Sequence, residues 1–220
     1  MPVVTDYTAL LSGNYWNGIE VTGAPVIVTY SFPTSLPAYD ASVGGFTPAT
    51  LASFSAFTPA EQAEAIDALN QWASASGLIF IQVAPGEGDI NFQNVDFNTT
   101  SGPSYAGAGG IGFYPFGDWN SFSYPYFSGD LTASGDVFMN SQFQNPDGTV
   151  NLGTLLHEIG HAIGLKHPTE VVTDSAADPA VVHDQVLSSD DPTRTIMATV
   201  DSRISTAKPK RAMPSSFTQF

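Results

Sequence analysis

Apolar residues follow a helical period in the segment that runs from Thr58 to Gly77. The apolar positions that share one face are Ala63, Ile66, Leu69, Trp72 and Ala73. Thr58 followed by Pro59 is a typical helix start, and Glu61 completes a capping box. Gly77 is a typical helix stop. The pattern therefore predicts an amphipathic helix over about residues 59–75.

Strands are predicted by short segments that are rich in β-branched and aromatic residues and bounded by glycine or proline. These segments are 25–32 (PVIVTYSF), 78–83 (LIFIQV) and 89–95 (DINFQNV). Residues 134–140 (SGDVFMN) predict a further short strand. The surrounding region, 97–145, is dominated by glycine, serine, asparagine and aromatic residues, and predicts long surface loops with a strand or two inside. A strand, a helix and then more strands indicate a sheet backed by helices.

A second helix is predicted by the segment NLGTLLHEIGHAIG, whose apolar residues have helical spacing and which lacks an interior proline. It should run from about Asn151 to Ile163. His157 and His161 lie four residues apart on this helix, so their side chains share one face with Cβ atoms about 5–6 Å apart. That separation lets both imidazoles bind one zinc ion at about 2.0–2.1 Å.

A third histidine follows the predicted helix after a glycine. Gly164 could end the helix in a left-handed conformation without the strain that a Cβ atom causes. The chain could then turn back and bring His167 to the same ion, while Pro168 prevents the helix from continuing. The chain has four histidines, and three of them fall within eleven residues. His157, His161 and His167 are therefore the predicted zinc ligands.

Glu158 lies next to the first predicted ligand and should project beside the metal. A carboxylate there could take a proton from a zinc-bound water, whose pKa the metal lowers toward about 7, and pass it to a leaving amine. Three neutral ligands leave the fourth coordination position open for water and the scissile carbonyl, as in a catalytic zinc site. Glu158 is the predicted general base.

Composition and charge limit the remaining functions. The chain has 220 residues, of which 42% are hydrophobic, enough for one domain with a buried core. Residues 1–200 hold 20 acidic and 2 basic residues, and a body of that charge repels phosphate backbones, which argues against nucleic acid as a partner. Cysteine is absent, so a metal must be held by histidine, aspartate or glutamate. No apolar run approaches the ~20 residues of a membrane span.

The segment HEIGHAIGLKHP (157–168) resembles the extended zinc signature of the metzincin metalloproteases, and the proline after the third histidine most resembles the serralysin branch. The resemblance covers about residues 9–200. Two further matches lie before the zinc signature: LLSGNYWNG with VIVTYSF resembles the family's N-terminal region, and FTPAEQAEAIDALNQWA resembles its first long helix. The segment GDVFMN resembles the strand before the active-site helix. After the signature, TIMATV with Met197 resembles the Met-turn beneath the zinc.

The resemblance implies an α+β, metzincin-type zincin fold. That fold has a twisted, mostly parallel five-stranded sheet with an antiparallel edge strand, a backing helix, an active-site helix and an irregular lower subdomain. The implied function is that of a secreted zinc endopeptidase, although no N-terminal export signal is visible. Protein or peptide substrates would bind extended along a sheet edge, and a proteinaceous inhibitor is a further implied partner. No motif in the chain supports a calcium site.

Two features depart from the serralysin pattern. In serralysins a tyrosine follows the Met-turn methionine by two residues, whereas this chain has Thr199 at that position. The Thr199 side chain is too short for its hydroxyl group to contact the metal or stabilise an oxyanion. The family usually continues into a further helix and a calcium-binding β-roll, neither of which is present in residues 201–220. We therefore expect 1–200 to be the catalytic domain and 201–220 to be a basic tail that contains proline and serine and ends before a final helix.

These departures keep a second function open, a catalytically weak or inactive binding or surface module with the metzincin fold. The intact Glu158 favours the enzyme, because a purely structural zinc site does not need that carboxylate.

Overall fold

The structure, a computed structural model, describes residues 3–4, 7–16, 25–39, 46–99, 107–115, 131–169, 186–187, 191 and 195–198. Its α-helices are α1 (Pro48–Ala52), α2 (Pro59–Ser76) and α3 (Leu152–Ala162). Its strands are β1 (Val3–Val4), β2 (Ile27–Ser31), β3 (Ser55–Ala56), β4 (Ile79–Gln82), β5 (Ile90–Val95), β6 (Gly110–Gly112), β7 (Val137–Asn140) and β8 (Val186–Leu187). None of the described helices has the length and hydrophobicity needed to cross a membrane.

The main sheet has the strand order β4-β2-β5-β7-β6. The first four strands pair in parallel, and β6 pairs antiparallel with β7 at one edge. This arrangement confirms the expected α+β fold with a mostly parallel sheet and an antiparallel edge strand. The short β3, which the hydrophobic pattern did not predict, adds an antiparallel pair to β5. Separately, β1 pairs in parallel with β8.

The predicted parts that follow α3 are only partly described. Beyond residue 169, the described residues are 186–187, 191 and 195–198. Thr199 and the predicted tail, 201–220, lie outside the described residues.

Helix α2 begins and ends where its capping residues predict. The Thr58 side chain accepts a hydrogen bond from the main chain of Glu61 at 3.3 Å, and the Glu61 carboxylate accepts one from the main chain of Thr58 at 2.7 Å. Gly77 ends the helix with a φ of 74°. The Glu61 carboxylate is buried and also accepts from Asn94 at 3.1 Å and from Gln144 at 2.6 Å. The first turn is thereby tied to the sheet.

The buried face of α2 differs in part from the predicted one. Leu69 and Trp72 are buried as expected, but Ala63 is exposed, and Ala65 and Ala68 face the core instead. Alanine is small enough to be accommodated on either side of a helix, so its positions define a helical face poorly. The small side chains on the inner face let α2 pack closely on its neighbours.

The core joins the sheet to both long helices. Trp72 of α2 is fully buried, and its indole nitrogen donates to the carbonyl oxygen of Leu156 in α3 at 3.0 Å. Phe92 of β5, Leu155 and Ile159 of α3 are fully buried in the same cluster. Packing of this cluster fixes α3 against the sheet, with its histidine-bearing segment beside β6.

A buried carboxyl group lies at one end of the β6 and β7 pair. Asp136 is 1% exposed, and its main-chain carbonyl accepts from Phe113 at 3.0 Å. One carboxyl oxygen accepts from the main chain and side chain of Asn91, at 2.8 Å and 2.9 Å, and the other accepts from the Tyr39 hydroxyl at 2.5 Å. Burial raises the pKa of Asp136 to about 7, although these hydrogen bonds oppose the rise.

The substitution Asp136→Asn should flatten the dependence of stability on pH. Folding raises the pKa of this carboxyl group from 3.8 to about 7. Its protonation therefore stabilises the folded state fully below about pH 4, and this stabilisation is lost as the pH rises to about 7. Between about pH 4 and pH 7 the wild type should therefore lose roughly 10 °C of melting temperature relative to the variant. Thermal unfolding by circular dichroism at equal metal loading measures this difference. Parallel curves for the two proteins would contradict the assignment.

Candidate metal centre

Helix α3 carries the first two predicted ligands on one face. The Asn151 side chain caps the helix by accepting from the main chain of Thr154 at 3.1 Å. The His157 and His161 rings lie with their centroids 4.8 Å apart. His161 is buried and His157 is partly buried. The four-residue spacing thus places both imidazoles together, as the sequence predicts.

The turn after α3 returns the third histidine to the other two. Gly164 has a φ of 101°, a conformation that side-chain-bearing residues rarely adopt. The turn is closed by the main chain of Leu165, which donates to the Gly160 carbonyl at 2.8 Å. The His167 ring centroid then lies 5.1 Å from that of His157 and 4.7 Å from that of His161. The structure therefore brings all three predicted ligands together.

The imidazole nitrogens of the three histidines converge at distances that suit a single zinc ion. The Nε2 atom of His157 lies 3.1 Å from that of His161 and 3.2 Å from that of His167. A tetrahedral zinc ion with bonds of about 2.0–2.1 Å separates its nitrogen ligands by about 3.3–3.4 Å. Among the described residues, these three form the group that could hold a metal ion.

The other ring nitrogens point at main-chain carbonyl groups. His157 Nδ1 lies 2.9 Å from the Ile196 carbonyl oxygen, and His161 Nδ1 lies 2.7 Å from the Leu165 carbonyl oxygen. Each Nδ1 therefore carries the proton, which leaves the Nε2 lone pair for a metal. Two lone pairs that face each other at 3.1 Å repel unless a cation lies between them. The donor set therefore fits a bound cation such as zinc.

The predicted Met-turn residue lies against α3. Met197 is fully buried, and a Cβ atom added at Gly160 would be 2.3 Å from its sulfur atom. Only glycine at this helical position allows such an approach. The residue before the methionine, Ile196, supplies the carbonyl group that orients His157. Sequence patterns missed this carbonyl and that of Leu165, because main-chain acceptors leave no signal in residue identity.

Strand β6 packs on the predicted base. Glu158 is 7% exposed. A Cβ atom added at Gly110 would lie 2.7 Å from the Glu158 Cγ atom, and one added at Gly112 would lie 2.1 Å from the Glu158 main-chain carbonyl oxygen. Burial raises the pKa of Glu158 to about 7, while a hydrogen bond from the Gly112 main chain and the charge of His167 oppose the rise. The glycines in GGIG are the signal that could have placed this strand beside the helix.

An aromatic residue that the sequence patterns did not single out also borders the centre. Tyr114 follows β6 by two residues, and its ring packs edge-on against His161 with centroids 5.5 Å apart. Thr199, expected near the metal from the family resemblance, and His183 lie outside the described residues.

Comparisons with known proteins place the chain among zinc-protease families by sequence similarity. The matrixin family profile matches residues 51–194. Serralysin B of Dickeya chrysanthemi is 31% identical over 161 residues, which cover 70% of this chain and 29% of that protein. Serralysin A of the same organism is 32% identical over 158 residues, with coverage of 70% and 29%. Metalloprotease AprA of Pseudomonas entomophila is 29% identical over 166 residues, with coverage of 72% and 29%. The chain thus spans less than a third of the length of these relatives.

Removal of one imidazole should abolish metal binding. We expect one zinc ion per wild-type chain, and His161→Ala should lose most of it on dialysis because two ligands hold zinc weakly. Metal analysis of the purified proteins measures the ratio. His183→Ala is the matched control, because it removes the one histidine of the sequence that is not a predicted ligand. An unchanged zinc content in His161→Ala would show that the ion binds elsewhere.

Proposed function

Since this chain belongs to the matrixin family, we propose that it is a zinc-dependent endopeptidase that hydrolyses internal peptide bonds of proteins. The observation that carries the proposal is the joint placement of three converging imidazoles and one buried carboxyl group on and after α3. A zinc site with a purely structural role has no use for the carboxyl group. The expected secretion and the expected proteinaceous inhibitor rest on the family resemblance alone.

His157, His161 and His167 would hold the ion through their Nε2 atoms. The carbonyl groups of Ile196 and Leu165 keep the first two rings in the required orientation. Zinc, when bound, acts as a Lewis acid that polarises the scissile carbonyl group and lowers the pKa of water. Imidazoles that bind a metal do so in the neutral form, so three such ligands would leave the full charge of the ion available for this chemistry.

Glu158 would move the proton. Its carboxyl group lies beside the imidazoles and is held by the Gly112 main-chain N–H group. The carboxylate accepts a proton from the attacking water and donates it to the leaving amine. A cation held by the imidazoles would favour the carboxylate form of Glu158, which is the form that accepts a proton.

The substrate would bind along β6. In the pair with β7, the Phe113 main chain donates to Asp136 at 3.0 Å and the Gly109 carbonyl accepts from Asn140 at 2.9 Å. Because successive residues of a strand point their main-chain groups to opposite sides, Gly110 directs its own groups toward the outer edge. An extended peptide added at this edge would lie beside Glu158 and the imidazoles.

The substitution Glu158→Gln should separate catalysis from metal binding. The amide cannot accept the proton, so the turnover number should fall by about 10²–10⁴-fold, whereas zinc content should stay unchanged. Hydrolysis of casein or of a quenched peptide library, with and without a chelator, measures the activity. Glu87→Gln makes the same change on an exposed residue and should be neutral.

Two outcomes would contradict the proposal. Near-normal turnover in Glu158→Gln would remove the assigned role of this carboxylate. A wild-type protein that binds zinc but shows no chelator-sensitive hydrolysis would instead be the non-catalytic module.

The substitution Thr199→Tyr should raise the turnover number. A phenol at this position would contact the oxyanion only as it forms, so the rate should rise by roughly 10-fold with little change in KM. Steady-state kinetics on one peptide substrate measures both constants, with Thr199→Phe as the control that lacks the hydroxyl. A fall or no change would show that residue 199 faces elsewhere or that another group already stabilises the oxyanion.

A further inference from the structure

We propose that residues 10–16, here called the N-terminal clamp, hold the turn after α3 in its metal-binding shape before any metal binds. The inference rests on the proposed zinc site and adds a positioning role for a segment more than 140 residues away in sequence from the ligands. These residues do not touch the metal. They act through the turn that carries Leu165 and His167.

The clamp pairs with the turn through a single antiparallel bridge. Leu11 and Leu165 form an isolated antiparallel bridge. The main chain of Lys166 donates to the Leu10 carbonyl oxygen at 2.6 Å. Lys166 directly precedes His167, so this hydrogen bond sets the position of the chain one residue before the third ligand.

A second hydrogen bond and a close contact hold the start of the turn. The main chain of Ser12 donates to the Gly164 carbonyl oxygen at 2.9 Å. A Cβ atom at Gly164 would lie 2.3 Å from the carbonyl oxygen of Asn14, so the clamp occupies the space beside this glycine. Ser12 and Asn14 are 2% and 5% exposed, and the Ser12 hydroxyl accepts from the main chain and side chain of Asn14, both at 3.2 Å. These hydrogen bonds and the burial of both residues stabilise the conformation of the clamp.

The last residue of the clamp holds the end of α3. The indole nitrogen of Trp16 donates to the Ala162 carbonyl oxygen at 2.9 Å. Carbonyl groups in the last turn of a helix lack a partner within the helix, so this bond satisfies one of them. A Cβ atom at Gly135 would lie 2.4 Å from the Trp16 ring, which shows how closely the ring is seated against the residue before Asp136.

The turn that the clamp holds serves two ligands. It carries His167 directly, and the Leu165 carbonyl group accepts from His161 Nδ1 at 2.7 Å. A mobile turn would have to be ordered during metal binding, and that cost reduces affinity. The apparent affinity falls in proportion to the fraction of molecules that already have the binding shape. A clamp that keeps this fraction high therefore strengthens zinc binding without contacting zinc.

The experiment compares two tryptophans that make the same kind of hydrogen bond to the same helix. Trp16→Phe removes the hydrogen bond to the Ala162 carbonyl group at the end of α3. Trp72→Phe removes the hydrogen bond to the carbonyl group of Leu156, the residue that precedes His157. Zinc affinity is measured by competition with a chromophoric chelator. We expect about 10-fold weaker binding in Trp16→Phe and less than about 3-fold in Trp72→Phe, although both variants lose thermal stability.

Hydrogen exchange on the metal-free protein tests directly whether the clamp forms before metal binds. The Lys166 amide should be protected without zinc if the clamp is formed in advance, and Trp16→Phe should lower that protection. Rapid exchange of this amide in the metal-free wild type, or equal zinc affinity in Trp16→Phe and wild type, would overturn the inference and leave the proposed endopeptidase function intact. A wild type that binds no zinc at all would overturn both.

Discussion

Helix α3 is approached from three sides more closely than a Cβ atom would allow, and the arrangement of the candidate metal centre depends on that approach. Added Cβ atoms at three glycines would lie 2.1 to 2.3 Å from neighbouring atoms. The glycines are Gly112, Gly160 and Gly164, and their respective neighbours are Glu158, Met197 and Asn14. Strand β6, the Met197 turn and the N-terminal clamp thereby all rest on one short helix and on the turn that follows it.

This close packing orients groups that would otherwise repel one another. Lone pairs on converging imidazoles and a buried carboxyl group are each unfavourable without a cation. Main-chain groups hold them in place by hydrogen bonds. The carbonyl groups of Ile196 and Leu165 accept from two of the imidazoles, and the Gly112 N–H group donates to the carboxyl group. Because these groups are already in place, a metal ion would meet a centre that needs little rearrangement, which would favour the proposed hydrolysis.

Local sequence signals were sufficient to predict an element's limits where the deciding side chain bonds to residues close to it in sequence. Thr58, Glu61 and Gly77 predicted the limits of α2, because caps and stops are decided within a few residues. Strand β6 was not located because Gly-Ile-Gly has no alternation of polar and apolar side chains. Its place is decided by pairing with β7 and by contact with Glu158. The alanines of α2 were misassigned for a related reason, since their small side chains carry little information about which side is buried.

The sequence by itself predicted the candidate ligands and the candidate base, because the spacing of His157, Glu158 and His161 on a helix sets which side chains share a face. It also determined that Gly164 allows the chain to turn back toward them. Only the tertiary structure decided how the rings are held, since the carbonyls of Leu165 and Ile196 and the pairing with residues 10–16 come from segments distant in sequence. Main-chain groups are chemically the same at every residue, so their roles appear only once the chain is folded.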